Sequence, residues 1–173
     1  NRKHWAAADN LSAAAALSPS IRKLLRERSR YEVANNSYAH GIALTLANDV
    51  VGTGPRLQIE LGNRKENDLV EVEFADWAEE IDLAGKLQTM RMARFQDGEA
   101  FAILTTNQNL QSRVKLDIQL RESEEIASPQ ITTDPRIDGI IFDDFGNPRV
   151  YHVLEAHPGD LRAPRSIFEY HEE

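Results

Sequence analysis

The clearest pattern in the first half of the chain is an apolar residue at every third or fourth position from Tyr31 to Val50, which is typical of one face of a helix. We expect this face to be buried against a core. Gly52 and Pro55 follow in "VGTGP", and a glycine after the last periodic residue, with a proline beyond it, predicts the end of the helix. The stripe consists of Tyr31, Ala34, Tyr38, Ile42, Leu46 and Val50.

Three further stretches show helical spacing. Ser20 is the expected N-cap of "IRKLLRERSR". A region from about Asn67 carries an apolar face that is expected to be interrupted at Gly85, and a third helix then runs to a turn at Asp97 and Gly98. The apolar positions are Val70, Phe74, Trp77, Ile81 and Ala84 before the interruption, and Leu87, Met90 and Phe95 after it.

The other patterns predict strands. Residues 55–61, "PRLQIEL", alternate apolar and polar positions, and "AFAIL" is a short apolar run. "GIIFDDFGNPRVYHVL" predicts two strands joined by a loop of four to six residues, in which Gly146 and Asn147 can take positive φ and Pro148 starts the return strand. "RVKLDIQL" places Val114, Leu116, Ile118 and Leu120 on one face of a half-buried strand.

Helices that precede strands predict an α+β fold, with N-terminal helices followed by a mainly antiparallel sheet. Residues 1–27 are predicted to form an N-terminal arm, since "AAADNLSAAAALSPS" is small, Ala-rich and weakly patterned. Residues 28–173 are predicted to form one α+β domain. The chain begins at Asn1 and stops at "FEYHEE", so we expect it to be part of a longer polypeptide.

Composition excludes several kinds of chemistry. The chain of 173 residues has no cysteine, which excludes disulfides, zinc–thiolate sites, iron–sulfur clusters and a cysteine nucleophile. The net charge is −8, and residues 61–173 hold twelve Lys or Arg against twenty-three Asp or Glu. Such an acidic segment is not expected to hold a DNA backbone tightly. No apolar run approaches the length of a membrane span.

The glycines of "VGTGP" raise the question of a phosphate-binding loop. A Walker loop requires a lysine and a hydroxyl residue after its last glycine, whereas Gly54 is followed by Pro55 and Arg56. Phosphate loops also follow a strand and open a helix, and this loop follows a helix and precedes a predicted strand. The stretch is therefore interpreted as a helix end, and the dinucleotide fingerprint fails for the same reason.

A magnesium-dependent nuclease is the enzyme hypothesis with some support in the sequence. Asp97, Glu99, Asp143 and Asp144 stand near predicted strand ends, where two or three acids could hold Mg²⁺. No E-x-K pattern completes the set. We favour turn formation as their role, because Asp before Gly is a common way to build a bend.

Other candidate residues lack the spacing that catalysis or metal binding requires. Ser29 and Ser123 are outside any G-x-S-x-G setting, and Phe74 and Trp77 are expected to be core residues rather than base-stacking platforms. No catalytic residue, cofactor site or metal site is therefore predicted. The histidines, which show neither H-x-x-x-H nor H-E-x-x-H spacing, are His4, His40, His152, His157 and His171.

An ordered set of short motifs between about Leu24 and Leu154 resembles the portal proteins of tailed bacteriophages, the lambda-like family. Each motif is weak alone, but their order and spacing are specific. They are an R-x-R at Arg28 and Arg30, an N-N-x-Y at Asn35, Asn36 and Tyr38, a V-G-T-G at Val51 to Gly54, a W…D-x-x-G at Trp77, Asp82 and Gly85, a D-G-E at Asp97 to Glu99, and a G-I-x-x-D-x-x-G-x-P at Gly139, Ile140, Asp143, Gly146 and Pro148.

The resemblance implies a structural subunit of a ring, dodecameric in the family, at one capsid vertex. Through this ring DNA passes during packaging and ejection without sequence-specific binding, and the ring is a nucleation point for head assembly. The implied partners are the terminase, capsid or scaffold proteins and head-completion proteins, with no cofactor and no membrane. The implied location is the procapsid and virion, with the host cytoplasm during assembly, for a phage or prophage protein. The segment resembles the N-terminal, wing part, and the stem, the terminase-binding clip and the channel loops are expected beyond it.

Two alternatives of other classes remain open at this point. One is the magnesium-dependent nuclease or processing enzyme, for which loss of DNA cleavage in Asp97→Asn or Asp143→Asn would be diagnostic. The other is an adaptor that binds a protein through the helix from Arg28 to Val51, which would form a one-to-one complex without a ring.

Overall fold

A computed structural model describes residues 10–127 and 139–160, together with the backbone of a strand at 167–171. Helices occupy the first part of these ranges and antiparallel strands the second, so the predicted α+β order is confirmed. The elements are α1 (Ala13–Ala16), α2 (Pro19–Asn35), α3 (Ser37–Val51), α4 (Arg64–Glu80), α5 (Leu83–Asp97), β1 (Phe101–Thr106), β2 (Leu116–Arg121), a short 3-10 helix (Ser123–Glu125), β3 (Ile140–Phe142), β4 (Pro148–Leu154) and β5 (Ile167–His171).

The predicted helical stretch through Tyr31 to Val50 is divided in two at Asn36. Asn36 has extended backbone angles, φ −114° and ψ 112°. Its side-chain oxygen accepts a hydrogen bond from the backbone N–H of Tyr38 at 3.0 Å and so caps α3. At the other end of α2, Ser18 is the N-cap residue and Pro19 is the first helical residue, so the expectation of Ser20 was wrong by two positions.

The break between α4 and α5 lies at Ile81 and Asp82, not at Gly85. Asp82 has φ +52° and its carboxylate accepts a hydrogen bond from the backbone N–H of Gly85 at 3.3 Å, which caps α5. Gly85 lies inside the first turn of α5. A Cβ at this position would collide with the Asp82 carboxylate, so the glycine serves close packing of the cap rather than an interruption.

Residues 55–61 alternate as predicted but do not form a strand. Leu57 and Ile59 are half-buried, and their polar neighbours are exposed. Their backbone is held by side chains of α4 and not by another strand: Glu71 accepts from the N–H of Ile59 at 3.0 Å, and Asn67 accepts from the N–H of Leu61 at 3.0 Å. The strand prediction is wrong because periodicity cannot show whether a partner strand exists.

The strands form two small antiparallel sheets. In one, β1 pairs with β2; in the other, the order is β3-β4-β5. The β3–β4 loop has five residues, Asp143 to Asn147, which confirms the predicted loop length. Gly146 has φ +85°, whereas Asn147 is not among the described residues with positive φ. β2 begins only at Leu116, and Val114 and Leu116 are both exposed, so half of the predicted buried face lies in solvent.

The core lies where α4, α5 and the β1–β2 sheet meet. Trp77 is only 8% exposed, packs on Phe74 with ring centroids 5.5 Å apart, and donates its indole N–H to the backbone oxygen of Leu116 at 2.7 Å. The prediction that these two aromatics are core residues is confirmed. The buried members of the cluster are Trp77, Ile81, Leu83 and Leu110.

The apolar stripe of Tyr31 to Val50 does not face this core. Tyr38 is 83% exposed, and Tyr31, Ile42 and Val50 are exposed as well. The buried residues of α2 and α3 are Val33, Ala43 and Ala47. The burial prediction is therefore wrong for most of the stripe, because small residues on another face of α3 provide the contact with its neighbours.

The predicted boundary between residues 27 and 28 falls within α2, and residues 1–9 of the predicted arm lie outside the described ranges. No helix in the described part of the chain is both long enough and apolar enough to cross a bilayer.

Candidate functional site

Two arginines of α2 face the junction between the helices and the sheets. Arg26 and Arg30 are four residues apart and therefore point to the same side of the helix. The carboxylates around them belong to the end of α5 and to the segment that contains the 3-10 helix. We call this cluster the arginine clasp; its members are Arg26, Arg30, Asp97, Glu99, Glu122 and Glu124.

Arg30 is the central residue of the clasp. Its Nε and Nη2 donate to the two carboxylate oxygens of Asp97, both at 2.8 Å, and Nη2 also donates to Glu124 Oε2 at 2.6 Å. The bond to Asp97 raises the pKa of Arg30 despite the opposing effect of burial. Such a bidentate pair fixes direction as well as distance. It therefore ties α2 to the end of α5 in one orientation.

Arg26 completes the clasp one turn earlier. Its Nη1 donates to Glu99 at 2.8 Å, and its Nε lies 3.3 Å from Glu124. Burial pushes the pKa of Glu124 upward, but the hydrogen bond from Arg30 and the charges of Arg30 and Arg26 outweigh it, so this pKa is lowered. Glu124 is consequently ionised at neutral pH and binds both cations.

His157 lies beside the clasp, and with Glu122 and Glu124 it forms the one group in the described residues whose atoms are close enough to hold a metal ion. Its Nε2 is 3.7 Å from Glu122 and 3.6 Å from Glu124. The backbone N–H of Gly159 donates to Nδ1 at 3.0 Å, so a neutral ring carries its proton on Nε2. A metal would need that nitrogen unprotonated, and Arg30 already occupies Glu124. The group therefore fits internal pairing better than cation binding.

The four acids considered for a nuclease site do not form a shared site in the described part of the chain. Asp97 and Glu99 belong to the clasp. Asp143 accepts hydrogen bonds from the side chain of Asn147 at 3.0 Å and from its backbone N–H at 2.8 Å. These bonds lower the pKa of Asp143, the side-chain bond most. Asp143 therefore stabilises the β3–β4 turn, and Asp144 lies in the same turn.

The glycines of "VGTGP" have structural reasons for their positions. Gly52 is the C-cap of α3, with φ +56°, and its oxygen accepts from the side chain of Gln88 at 3.0 Å. Gly54 has φ +93°, and a Cβ there would approach the Cβ of Ala84 to 3.0 Å. The stretch thus ends a helix and passes closely over α5, in agreement with its interpretation as a helix end.

The remaining candidates are dispersed. His152 is a buried residue of β4 whose backbone bonds to Gly139 and Ala127, and His40 is exposed on α3. Ser29 lies on α2 and Ser123 opens the 3-10 helix. His4 lies outside the described residues, as do all side chains of the final strand, including that of His171.

A family model for the phage portal protein, lambda family, matches residues 1–172. The chain belongs to this family. The predicted resemblance to lambda-like portals is confirmed, and with it the structural role of a phage portal protein. No curated protein matches the chain.

The portal motifs have identifiable structural roles in this chain. Asn36 of the N-N-x-Y motif caps α3, and Asp82 of the W…D-x-x-G motif caps α5 over Gly85. The D-G-E motif supplies two acids of the clasp, with Gly98 at φ +87° between them. Gly139 allows the backbone to pass residues 126 and 127, where a Cβ would lie 2.8 Å from the N of Ala127.

Sequence reasoning did not predict the clasp. The portal motif pointed to Arg28 and Arg30, but Arg28 is exposed and Arg26 is the second member. The spacing of Arg26 and Arg30, four residues on one helix, was the signal that could have identified the pair. Glu122 and Glu124 had no such signal, because they meet α2 only through the path of the chain after β2.

Proposed function

We propose that this chain is part of a subunit that assembles into a closed ring at one capsid vertex and forms the conduit for DNA during packaging and ejection. The ring is dodecameric, as in the family, and also nucleates head assembly. Its partners are further copies of itself, the terminase, capsid or scaffold proteins, and head-completion proteins. It acts in the host cytoplasm during assembly and then in the virion.

The observation that carries this proposal is the match of the portal family to residues 1–172, which is nearly the whole chain. The structure is compatible with a role without catalysis, since three of the four acids considered for a nuclease are engaged in ion pairs or in a turn. Asp97 and Glu99 are bound by arginines, and Asp143 binds backbone and side-chain groups of its own loop. We propose that the chain has no catalytic residues of its own.

The proposal requires DNA to pass without being held. Residues 61–173 are acidic, so phosphates meet mainly repulsion there, whereas tight non-specific binding needs several Lys or Arg contacts. We also propose that residues 28–173 form one domain and that residues 1–27 extend from it as an arm that contacts a neighbouring subunit.

Electron microscopy of the complete polypeptide that contains these residues tests the proposal. An epitope inserted after Phe145, whose side chain is 92% exposed in the β3–β4 loop, allows antibody labelling without disturbing the core. We expect closed rings in solution and one labelled vertex on each phage particle. Particles labelled over their whole surface, or a strictly monomeric complete polypeptide, would contradict the proposal.

A further inference from the structure

The outer side of α4 carries an unusual mixture of exposed acids and aliphatic residues. Val72 is 57% exposed at its centre, beside Leu69, and three carboxylates surround it at helical spacing. None of these three carboxylates has an ion-pair partner among the described residues. Like charges at such spacing repel each other, and the aliphatic side chains remain in water. We call this surface the acidic face; it consists of Asp68, Leu69, Val72, Asp76 and Glu79.

A groove of opposite charge lies between α3 and α5. Its volume is about 510 Å³, and its walls are mainly aliphatic. Arg91 and Arg94 line it, and in contrast to Arg26 and Arg30 neither has an ion-pair partner among the described residues. We call it the basic groove; its lining includes Val50, Leu87, Met90, Arg91 and Arg94.

The two surfaces do not pair with each other within the described subunit. α5 packs against both α3 and α4, and the groove lies on its α3 side. Asp68 and Val72 border a different pocket, next to Arg56, and none of the three acidic-face carboxylates forms an ion pair with Arg56 among the described residues. The inner side of α4 is anchored in the core through Trp77, so its acidic face points away from α5. An acidic, aliphatic helix face that enters the groove must therefore belong to another molecule.

We propose that the acidic face of α4 in one copy of this chain docks into the basic groove between α3 and α5 of the next copy. Carboxylates would meet Arg91 and Arg94, and Val72 and Leu69 would meet the aliphatic walls. Because each copy offers two different surfaces, the contact is head-to-tail, and this type of contact closes into a ring when the rotation fits. The inference rests on the ring of the proposed function and assigns the surfaces that form it.

This contact is expected to be weak in isolation. One helix face and one groove bury less than the roughly 800 Å² per partner of a standard stable interface. Charge pairing at exposed positions is also screened by salt. The contact is therefore best detected by covalent trapping at high protein concentration.

The absence of cysteine makes disulfide trapping direct. A chain with Val72→Cys is mixed with a chain with Val50→Cys, and the mixture is mildly oxidised. In the matched control, a chain with Leu104→Cys takes the place of the Val50→Cys chain. Leu104 lies on β1, and its exposed fraction of 58% is close to the 64% of Val50. We expect at least fivefold more dimer from the first mixture than from the control. A chain with both Val72→Cys and Val50→Cys should form a ladder of dimers, trimers and larger species.

Charge exchange gives an independent readout. Arg91→Glu with Arg94→Glu in the Val50→Cys chain should reduce trapping about tenfold, and Asp68→Lys with Asp76→Lys in the Val72→Cys chain should restore it. Equal trapping with the Leu104→Cys control, preferential linkage of Val72→Cys to itself, or no restoration by charge exchange would each overturn the proposal. Thermal unfolding of each variant confirms that it is folded.

Failure of this interface and failure of the proposed function give different results. If the complete polypeptide forms rings that persist with Arg91→Glu and Arg94→Glu, the interface is wrong and the portal proposal stands. If the wild-type complete polypeptide forms no rings, the portal proposal fails, whatever the trapping result.

Discussion

The two sides of α5 hold their neighbouring helices by different means. Toward α4 the contact is made by large apolar residues around Trp77, whose indole N–H also donates to the backbone oxygen of Leu116 in β2. Toward α3 the buried residues are Ala43 and Ala47, whereas Ile42, Leu44 and Val50 are exposed. The same helical spacing thus produced an inward stripe on one helix and an outward stripe on the other. An apolar stripe predicts a contact, but it does not tell whether the partner is the same subunit.

The largest expected effect concerns the α4 side. Trp77→Ala should lower the free energy of unfolding by about 3 kcal/mol, because it leaves a cavity and removes the hydrogen bond to Leu116. Urea unfolding followed by circular dichroism measures the change. An unchanged midpoint would show that Trp77 is not a core residue and that the two sides of α5 do not differ in this way.

An enlarged residue tests the α3 side. Ala47 is completely buried, so Ala47→Leu should destabilise the chain by about 2 kcal/mol through overpacking. The control is Leu44→Ala on the exposed side of the same helix, which should change stability by less than about 0.5 kcal/mol. A stabilised Ala47→Leu variant would mean that α3 is packed loosely. The contact between α3 and α5 could then accommodate a large apolar residue, as the contact between α4 and α5 does.

A variant of the clasp tests whether ion pairs hold α2 on the side of α5 where large buried apolar residues are lacking. Arg30→Gln should cost about 1–2 kcal/mol, less than for a fully buried pair because the Arg30 side chain is 28% exposed. Arg28→Gln is the matched control, since Arg28 is exposed on the same helix. Equal stability of the two variants in urea would show that the clasp contributes nothing.

The loss of stability caused by Arg30→Gln should depend on pH, because Glu124 forms an ion pair with Arg30 only in its ionised form. Its pKa in the folded chain lies below the ordinary 4.5, so its ionised form stabilises the fold above that pH. This contribution is lost as the pH falls through the lowered value. The difference in stability between wild type and Arg30→Gln should therefore narrow as the pH falls below 4.5, and a difference that stays constant as the solution is acidified would contradict this role of Glu124.

The smallest effect is expected for the outward stripe. Ile42→Ser should change the stability of the isolated chain by less than about 0.5 kcal/mol, because Ile42 is exposed and the change removes no core contact. Urea unfolding of the isolated chain measures this change, with Trp77→Ala as the comparison. A loss near 2 kcal/mol would show that the stripe is covered within the subunit and would remove the contrast with α4.

Local features of the fold were predictable from residue type and spacing. The helix end at Gly52, the Trp77 face of α4 and the five-residue loop before Pro148 depend on neighbours close in sequence. The conformation of residues 55–61 was not predictable, because their alternation reflects packing along α4, where Glu71 and Asn67 bind their backbone, and not pairing with another strand. The clasp was not predicted, since the partners of Arg30 lie 67 and 94 positions away along the chain.

By itself, the sequence determined the order and type of the main elements, the glycines and caps that separate most of them, and membership of the portal family. These follow from backbone preferences and short motifs, which act over a few residues. Only the tertiary structure decided that the stripe of Tyr38 and Ile42 faces solvent, that Arg26 rather than Arg28 joins Arg30, and that acidic and basic surfaces lie on different sides of α5. Burial and charge pairing depend on which distant segments meet, and no local pattern contains that information.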